Sequence, residues 1–253
     1  MAALLEVKRL EKRFGGLKAI SELSFSVPER MIFSIIGPNG AGKTTLFNLL
    51  TNIYRPSSGS ILFKGKDITS LPPFKIARLG ISRTFQNLQV FLNMNVIENV
   101  MVGCHLRSKS GLIASALRLP SVIKEERDVK QMALESLKFC GLSDYANRPA
   151  GGLPYGILKK LEVARAIAAK PKLLLMDEPA AGLNDTETAE LCQLIKRICD
   201  SGITVLLVEH NMSLIMEISQ RVLVLNYGRL LAEGPPEEIQ KNPEVIAAYL
   251  GQG

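Results

Sequence analysis

The stretch IIGPNGAGKTTL, residues 35–46, decides the fold, because from Gly37 to Thr44 it follows the spacing G-x-x-x-x-G-K-T of a phosphate-binding loop. An apolar run, residues 31–36, precedes it, and a helical run, residues 44–52, follows it. A strand, a glycine-rich loop and a helix in this order distinguish a true phosphate loop from a chance match. We therefore predict a nucleotide site here and call residues 37–45 the phosphate loop.

The residue types of this loop suit a nucleotide and its metal ion. Glycines let backbone N–H groups turn inward to hold anionic oxygens, and the following helix adds its positive N-terminal end. Lys43 supplies a charge for the β- and γ-phosphates, and the Thr44 hydroxyl is a ligand for Mg²⁺. The predicted nucleotide contacts are Gly37, Pro38, Asn39, Gly40, Ala41, Gly42, Lys43, Thr44 and Thr45.

Composition indicates a globular chain with one sizeable core. The 253 residues are 47% hydrophobic and 22% charged. No apolar run approaches the roughly 18 residues of a membrane span, and the N-terminus lacks the pattern of a signal peptide. The net charge of +7 comes from basic residues spread along the chain, which favours a solvated surface over binding to nucleic acid or to an anionic membrane surface. The four cysteines form no C-x-x-C pair, so reduced thiols are favoured over a zinc site.

Two patterns surround the phosphate loop. Short strands near residues 4–10, 23–27 and 61–68 predict an antiparallel layer. Residues 88–165 change to helical periodicity, which predicts a helical subdomain inserted between two halves of an α/β core, residues 1–87 and 166–253. Within this subdomain, the amphipathic run 112–123 could contact a membrane protein, but packing within the chain is favoured, and His105 is interpreted as structural.

Polar residues end three predicted strands: Gln86, the pair Asp177 and Glu178, and His210. In open α/β sheets the site lies at the carboxyl ends of the strands, so we expect these side chains near the phosphate loop. Asp177 is placed to hold Mg²⁺ through water. Glu178 can act on an attacking water as general base, and His210 can donate or accept a hydrogen bond at the γ-phosphate.

These motifs together resemble the ATP-binding subunits of ABC transporters over essentially the whole chain. The matching stretches, in order, are GPNGAGKTT (37–45), FQN (85–87), LPYGI (153–157), LLLMDEP (173–179), AAGLN (180–184) and VEH (208–210). The resemblance implies an α/β fold, namely a P-loop NTPase core of ABC ATPase type with an antiparallel β layer and an inserted helical subdomain. It also implies that the ligands are ATP and Mg²⁺ and that the chain hydrolyses ATP.

The resemblance assigns further residues. Phe14 matches the aromatic residue that stacks on adenine, and Gln86 matches the Q-loop glutamine, which we predict to serve both the metal and catalysis. LPYGI stands where the family has its signature LSGGQ. Residues 155–157 lie at the first turn of the predicted helix that follows, so we predict that the backbone N–H groups of Tyr155, Gly156 and Ile157 bind the partner's γ-phosphate. The sequence departs from the family's pattern at Pro154, which replaces the signature serine, at Ile157, which replaces its glutamine, and at Asn184, where the following D-loop usually has aspartate. Proline offers neither a hydroxyl nor an N–H group.

Finer features resemble one subgroup, the G-type ATPases of branched-chain amino acid importers. These features include the insertion at 104–124, the motifs LPYG, EPAAGLN and VEHNM, and the tail EGPPEEIQKNPEVIAAYLG. The implied assembly is a head-to-tail homodimer or heterodimer of cassettes that binds membrane permeases. It would lie at the cytoplasmic face of the inner or plasma membrane, peripheral through the permeases, without contact to the transported substrate or to nucleic acid. The alternatives are an ATPase of lipid or lipopolysaccharide export, a soluble ABC ATPase without a permease, and a non-catalytic nucleotide-binding regulator.

Overall fold

The computed structural model describes residues 3–104 and 120–250, with side chains over 3–104 and 124–249. It divides into two compact units, one made of Met1–Ile81 and Lys172–Gly253, the other of Ser82–Pro171. His105 and most of the predicted insertion at 104–124, including the run 112–119, lie outside the described residues.

The first unit is built on a six-stranded sheet in the order β10-β9-β3-β8-β7-β6. Its central strands β3, β8 and β7 run parallel, and every residue in them is buried, as the apolar runs predicted. The strands are β3 (Ile32–Ile36), β6 (Ile81–Arg83), β7 (Leu173–Asp177), β8 (Thr204–Val208), β9 (Arg221–Asn226) and β10 (Arg229–Gly234). The boundary between the two units falls within β6.

The predicted antiparallel layer is confirmed as a four-stranded sheet of order β2-β1-β4-β5. Its strands are β1 (Ala3–Phe14), β2 (Leu17–Pro28), β4 (Ser58–Phe63) and β5 (Lys66–Asp67). Gly59 is required at the edge of β4, because a Cβ there would lie 2.3 Å from the carbonyl oxygen of Arg9. Apolar side chains from both sheets and from the helix after the phosphate loop form one continuous core, which includes Leu5, Phe33 and Phe47.

Helices accompany the strands of the six-stranded sheet in the first unit. In the first unit they are α1 (Lys43–Leu50), α2 (Pro73–Leu79), α6 (Asp185–Asp200), α7 (Met212–Ile218), α8 (Pro236–Lys241) and α9 (Pro243–Leu250). A second apolar cluster packs Ile36, the last residue of β3, with Ile239 of α8 and Val245 of α9. The C-terminal helices are therefore packed on the strand that leads into the phosphate loop.

The second unit is mainly helical in the residues that the structure describes, in agreement with the predicted helical subdomain. It contains α3 (Val96–Cys104), α4 (Pro120–Phe139) and α5 (Tyr155–Ala168). Gly103 allows α3 to approach α5 closely, since a Cβ there would lie 2.2 Å from the carbonyl oxygen of Arg165. Among the described residues of the whole chain, no helix has both the length and the apolar character of a membrane span.

Candidate nucleotide site

The phosphate loop leaves the carboxyl end of β3 as a tight backbone cradle. Gly37, Gly40 and Gly42 all have positive φ, and a Cβ on Gly37 would lie 2.1 Å from the carbonyl oxygen of Leu225. Gly42 is also the N-cap of α1 and supplies no side chain, so the first N–H groups of that helix have no side-chain cap. The loop thus presents backbone donors at a positive helix end, which is the arrangement that binds phosphate.

Lys43 lies inside this cradle. Its ammonium group is buried and donates to the carbonyl oxygens of Gly37, at 2.6 Å, and Pro38, at 3.1 Å. Burial lowers the pKa of Lys43, while the negative charges of Glu178 and Asp177 oppose that shift. Both carboxylates are therefore within electrostatic reach of the lysine, as the strand-end argument predicted.

The two carboxylates occupy different environments at the end of β7. Asp177 is buried, whereas Glu178 is partly exposed and adopts a left-handed backbone conformation with φ of 47°. The Glu178 N–H group donates to the Val208 carbonyl oxygen at 2.9 Å, which fixes the turn against β8. His210 follows β8, and its Nδ1 lies 4.0 Å from Oε2 of Glu178. The structure thus brings together the loop, both carboxylates and the histidine.

Glu209 is a residue of this region that the sequence interpretation missed. Its carboxylate is buried and accepts hydrogen bonds from the N–H groups of Ala180, at 2.9 Å, and His210, at 3.0 Å. The signal available in the sequence was a carboxylate at the end of an apolar strand, directly before the histidine.

An aromatic pair stands at the hairpin between β1 and β2. Phe14 is 42% exposed and meets the ring of Tyr54 edge to face, with 5.3 Å between ring centroids. The Lys12 ammonium lies 4.8 Å from the centre of the Phe14 ring and donates to the Arg55 carbonyl oxygen at 2.8 Å. Only Phe14 was predicted here. Tyr54 and Lys12 hold its ring in place and leave part of it exposed.

The C-terminal helix also reaches the phosphate loop. The phenol of Tyr249 on α9 is within hydrogen-bond reach of the Gly37 backbone N–H group. Burial raises the pKa of this phenol, and that hydrogen bond opposes the shift. Sequence reasoning did not single out Tyr249, because the contact depends on how the tail folds back on β3.

In the second unit, one face of α5 holds the segment that contains Gln86. The buried Glu162 carboxylate accepts from the Phe85 N–H group at 3.1 Å, and the Lys159 ammonium lies 3.5 Å from the Gln86 carbonyl oxygen. Burial raises the pKa of Glu162, and its hydrogen bonds and the neighbouring Lys159 and Arg165 oppose that shift. Gln86 and the phosphate loop belong to different units, so its proximity to the metal stays a prediction.

The LPYGI stretch forms the start of α5. Pro154 is the N-cap residue and makes no side-chain cap, while Tyr155 and Gly156 are the first two helical residues. The Ile157 N–H group donates to the Pro154 carbonyl oxygen at 3.1 Å. In an α-helix the first N–H groups have no intrahelical acceptor, so Tyr155 and Gly156 retain the donors suited to an anion, whereas the Ile157 N–H group, predicted for the same role, is already paired with Pro154.

Asn184 is the N-cap residue of α6, so the AAGLN segment leads directly into that helix. Its side chain accepts from the Glu187 N–H group at 2.9 Å, and the Glu187 carboxylate accepts in return from the Asn184 N–H group at 3.1 Å. This reciprocal capping box fixes the end of the AAGLN segment.

The sequence matches two protein families whose members bind ATP or take part in transport. Residues 20–181 match the ABC transporter family, and residues 229–253 match the family described as branched-chain amino acid ATP-binding cassette transporter. The chain therefore belongs to the ABC transporter family, as an ATP-binding cassette.

The chain is also similar over its length to individual proteins of this family. The chain is 45% identical to the high-affinity branched-chain amino acid transport ATP-binding protein BraF of Pseudomonas aeruginosa and 46% identical to LivG of Escherichia coli, with 98% of each chain covered in both comparisons. Among solved structures, it is similar to the ADP conformation of MJ1267, an ATP-binding cassette of an ABC transporter. That match has a TM-score of 0.87 at 32% identity and covers 100% of both chains.

Replacing Lys43 with alanine tests the cradle. The Lys43→Ala chain is expected to bind ATP about 10- to 100-fold more weakly, because hydrogen bonds from a charged group to the phosphates are lost. Isothermal titration calorimetry with ATP measures the change. Lys75→Ala, which removes an exposed lysine of α2, is the matched control and should bind like the parent. Equal affinity of the parent and Lys43→Ala would contradict the assignment of Lys43.

Proposed function

We propose that this chain is the ATP-hydrolysing subunit of an importer for branched-chain amino acids. The observation that carries the proposal is the meeting of the phosphate loop with Asp177, Glu178 and His210 at one edge of the six-stranded sheet. The match of residues 229–253 to the branched-chain cassette family supports the substrate class. That match favours the importer over lipid or lipopolysaccharide export and over a soluble ABC ATPase.

In the proposed reaction, the phosphate loop and α1 bind the triphosphate of ATP. The buried Lys43 ammonium, now hydrogen-bonded to the Gly37 and Pro38 carbonyl oxygens, would turn to the β- and γ-phosphates. The exposed face of Phe14 offers a surface on which the adenine ring stacks. These contacts orient the γ-phosphate toward the ends of β7 and β8.

Mg²⁺ fits the oxygen donors of this region. The Thr44 hydroxyl at the start of α1 and the Asp177 carboxylate are hard oxygen ligands of the kind that this ion prefers, and Gln86 of the second unit is proposed as a further ligand from the family resemblance alone. The ion would neutralise charge on the phosphates as they react.

Glu178 is proposed as the general base for the attacking water. Its partial exposure leaves the carboxylate accessible, and the residue adopts a left-handed backbone conformation directly after the buried Asp177. His210, with Nδ1 4.0 Å from the Glu178 carboxylate, is placed to orient the water or the γ-phosphate. The base and the histidine therefore lie close enough together to act on the same water.

The proposed assembly pairs this cassette with a second one, identical or different. Each phosphate loop would face the LPYGI segment of the partner, so that ATP binds the closed pair more tightly than the open pair. Membrane permeases would dock on the cassettes near Gln86 at the cytoplasmic face of the membrane. The permeases and an external binding protein would contact the amino acid, which this chain does not touch.

Purification from membranes tests this assignment. A tagged full-length chain should co-purify with permeases, identified by mass spectrometry. Vesicles that enclose the cassettes and ATP should accumulate radiolabelled leucine when the binding protein is supplied outside, and should not do so without ATP. Export of a lipid from the vesicles, or recovery of the chain with ribosomes and without a permease, would favour one of the alternatives instead.

Replacing the proposed base separates binding from hydrolysis. Glu178→Gln is expected to bind ATP like the parent but to hydrolyse it about 10²- to 10⁴-fold more slowly, since a general base contributes about that factor. Calorimetry and steady-state phosphate release measure the two quantities, and size-exclusion chromatography with ATP should show a trapped dimer. The control is Glu29→Gln in an exposed turn. Hydrolysis by Glu178→Gln at the parent rate would exclude this residue as the base.

The unusual start of α5 predicts recognition by the backbone. Since Tyr155 and Gly156 provide the first helical N–H groups, the missing serine hydroxyl should be dispensable, and Pro154→Ser should change turnover less than about tenfold. Gly156→Asp should abolish turnover, because it places a carboxylate and a Cβ where the partner's phosphate approaches. Both variants should still bind ATP in the phosphate loop.

Steady-state hydrolysis and nucleotide binding on the parent and both variants check this prediction. Normal hydrolysis by Gly156→Asp would show that LPYGI is not the signature. A hundredfold increase in Pro154→Ser would instead indicate that the natural chain is a weak ATPase, in keeping with a regulator.

A further inference from the structure

Glu209 is a buried carboxylate to which the mechanism above assigns no role. It is 1% exposed and directly follows the last residue of β8. Its Oε1 accepts from the Ala180 N–H group at 2.9 Å, and its Oε2 accepts from the N–H groups of His210, at 3.0 Å, and Asn211, at 3.3 Å. One side chain therefore links the segment after β7 to the segment after β8.

The link lies beside a strained turn. Glu178 is a non-glycine residue with φ of 47°, a conformation that persists only where the surroundings enforce it. On its N-terminal side, the Glu178 N–H group donates to the Val208 carbonyl oxygen. On its C-terminal side, the Ala180 N–H group donates to Glu209. The turn that carries the proposed base is thus held to β8 and its extension at both ends.

The same carboxylate sets the path of the segment that carries His210. Its second oxygen accepts from two consecutive N–H groups, those of His210 and Asn211, while Asn211 caps α7 by accepting from the Leu214 N–H group at 3.1 Å. The turn between β8 and α7 is therefore anchored at both ends, with the exposed His210 side chain between the anchors.

We propose that Glu209 is a positioning residue that holds the Glu178 turn and the His210 segment in one fixed relation, so that base and histidine act on the same water. This inference rests on the proposed function and deepens it, because it assigns to Glu209 the geometry on which hydrolysis depends. Glu209 does not touch the nucleotide in this scheme. Its removal should lower kcat and leave the KM for ATP unchanged.

Two substitutions of Glu209 test how much of its effect depends on its hydrogen bonds. Glu209→Gln keeps one acceptor oxygen and replaces the other with an NH₂ donor, so it can satisfy either the Ala180 N–H group or those of His210 and Asn211, but not both sides at once. Glu209→Ala removes both links. We expect kcat to fall about tenfold or more in Glu209→Gln, as for loss of a hydrogen bond to a charged acceptor, and further in Glu209→Ala. The KM for ATP should stay within about twofold of the parent, because neither substitution removes a group that contacts the bound nucleotide.

A double substitution separates positioning from stability. If Glu209 acts through Glu178, then Glu209→Gln should cause little further loss of kcat in a Glu178→Gln chain, since residues that act as a unit are not additive. The control is Ile61→Ala, which removes a fully buried side chain from the antiparallel sheet, away from the strand ends that carry the carboxylates. It should lower the melting temperature and leave kcat close to the parent value.

These measurements use the full-length chain, with steady-state hydrolysis over a range of ATP concentrations and thermal unfolding of each variant. Parent-like kcat in Glu209→Ala, or multiplicative losses in the double variant, would overturn the proposal. A fall in kcat in Ile61→Ala equal to that in Glu209→Gln would assign the effect to stability and overturn it as well. If the unmodified chain fails to hydrolyse ATP, the proposed function fails instead.

Discussion

The parallel register of β3, β8 and β7 is the constraint on which the rest of the site depends. Ile35 pairs with Val208, and Val208 pairs with Asp177, so the three strands end at the same level. The phosphate loop, the carboxylate pair and the Glu209–His210 segment each begin within two residues of that level. A shift of one residue in either pairing would turn alternate side chains to the other face of the sheet and separate Lys43 from the carboxylates.

The electrostatics of Lys43 follow from that register. Burial disfavours its charge more than Asp177 and Glu178 favour it, because the net effect is a lowered pKa. A cation that is only partly compensated by its own protein is stabilised further by an added anion, and a triphosphate at the loop supplies one. Because the pKa of Lys43 is lower in the folded chain than in the unfolded chain, protonation of this lysine lowers the free energy of unfolding as the pH falls through the ordinary lysine pKa of 10.5. That cost is fully present at neutral pH, and a bound triphosphate offsets it.

The sequence was sufficient for the features that are local, and insufficient for those that join distant segments. The glycine spacing and the apolar runs before Gly37 and Asp177 predicted the loop, the buried strands and the shared edge. Helix α8 was missed because it is only six residues long and begins at the second of two consecutive prolines. The hydrogen bond from Ala180 to Glu209 and the ring contact between Phe14 and Tyr54 were missed because each joins residues far apart in sequence. No local sequence pattern at one residue predicts its partner.

Pro154 and Asn184, which depart from the family's pattern, both keep the backbone arrangement that starts a helix and change only the side chain. Proline suits the N-cap of α5, since that position contributes its carbonyl group to the helix while its own N–H group is not needed there; the Pro154 carbonyl accepts from Ile157 and Leu158. Asparagine caps a helix about as well as aspartate, and Asn184 does so in a complete capping box. Both substitutions thus preserve the helix starts, and what they remove is one hydroxyl and one negative charge.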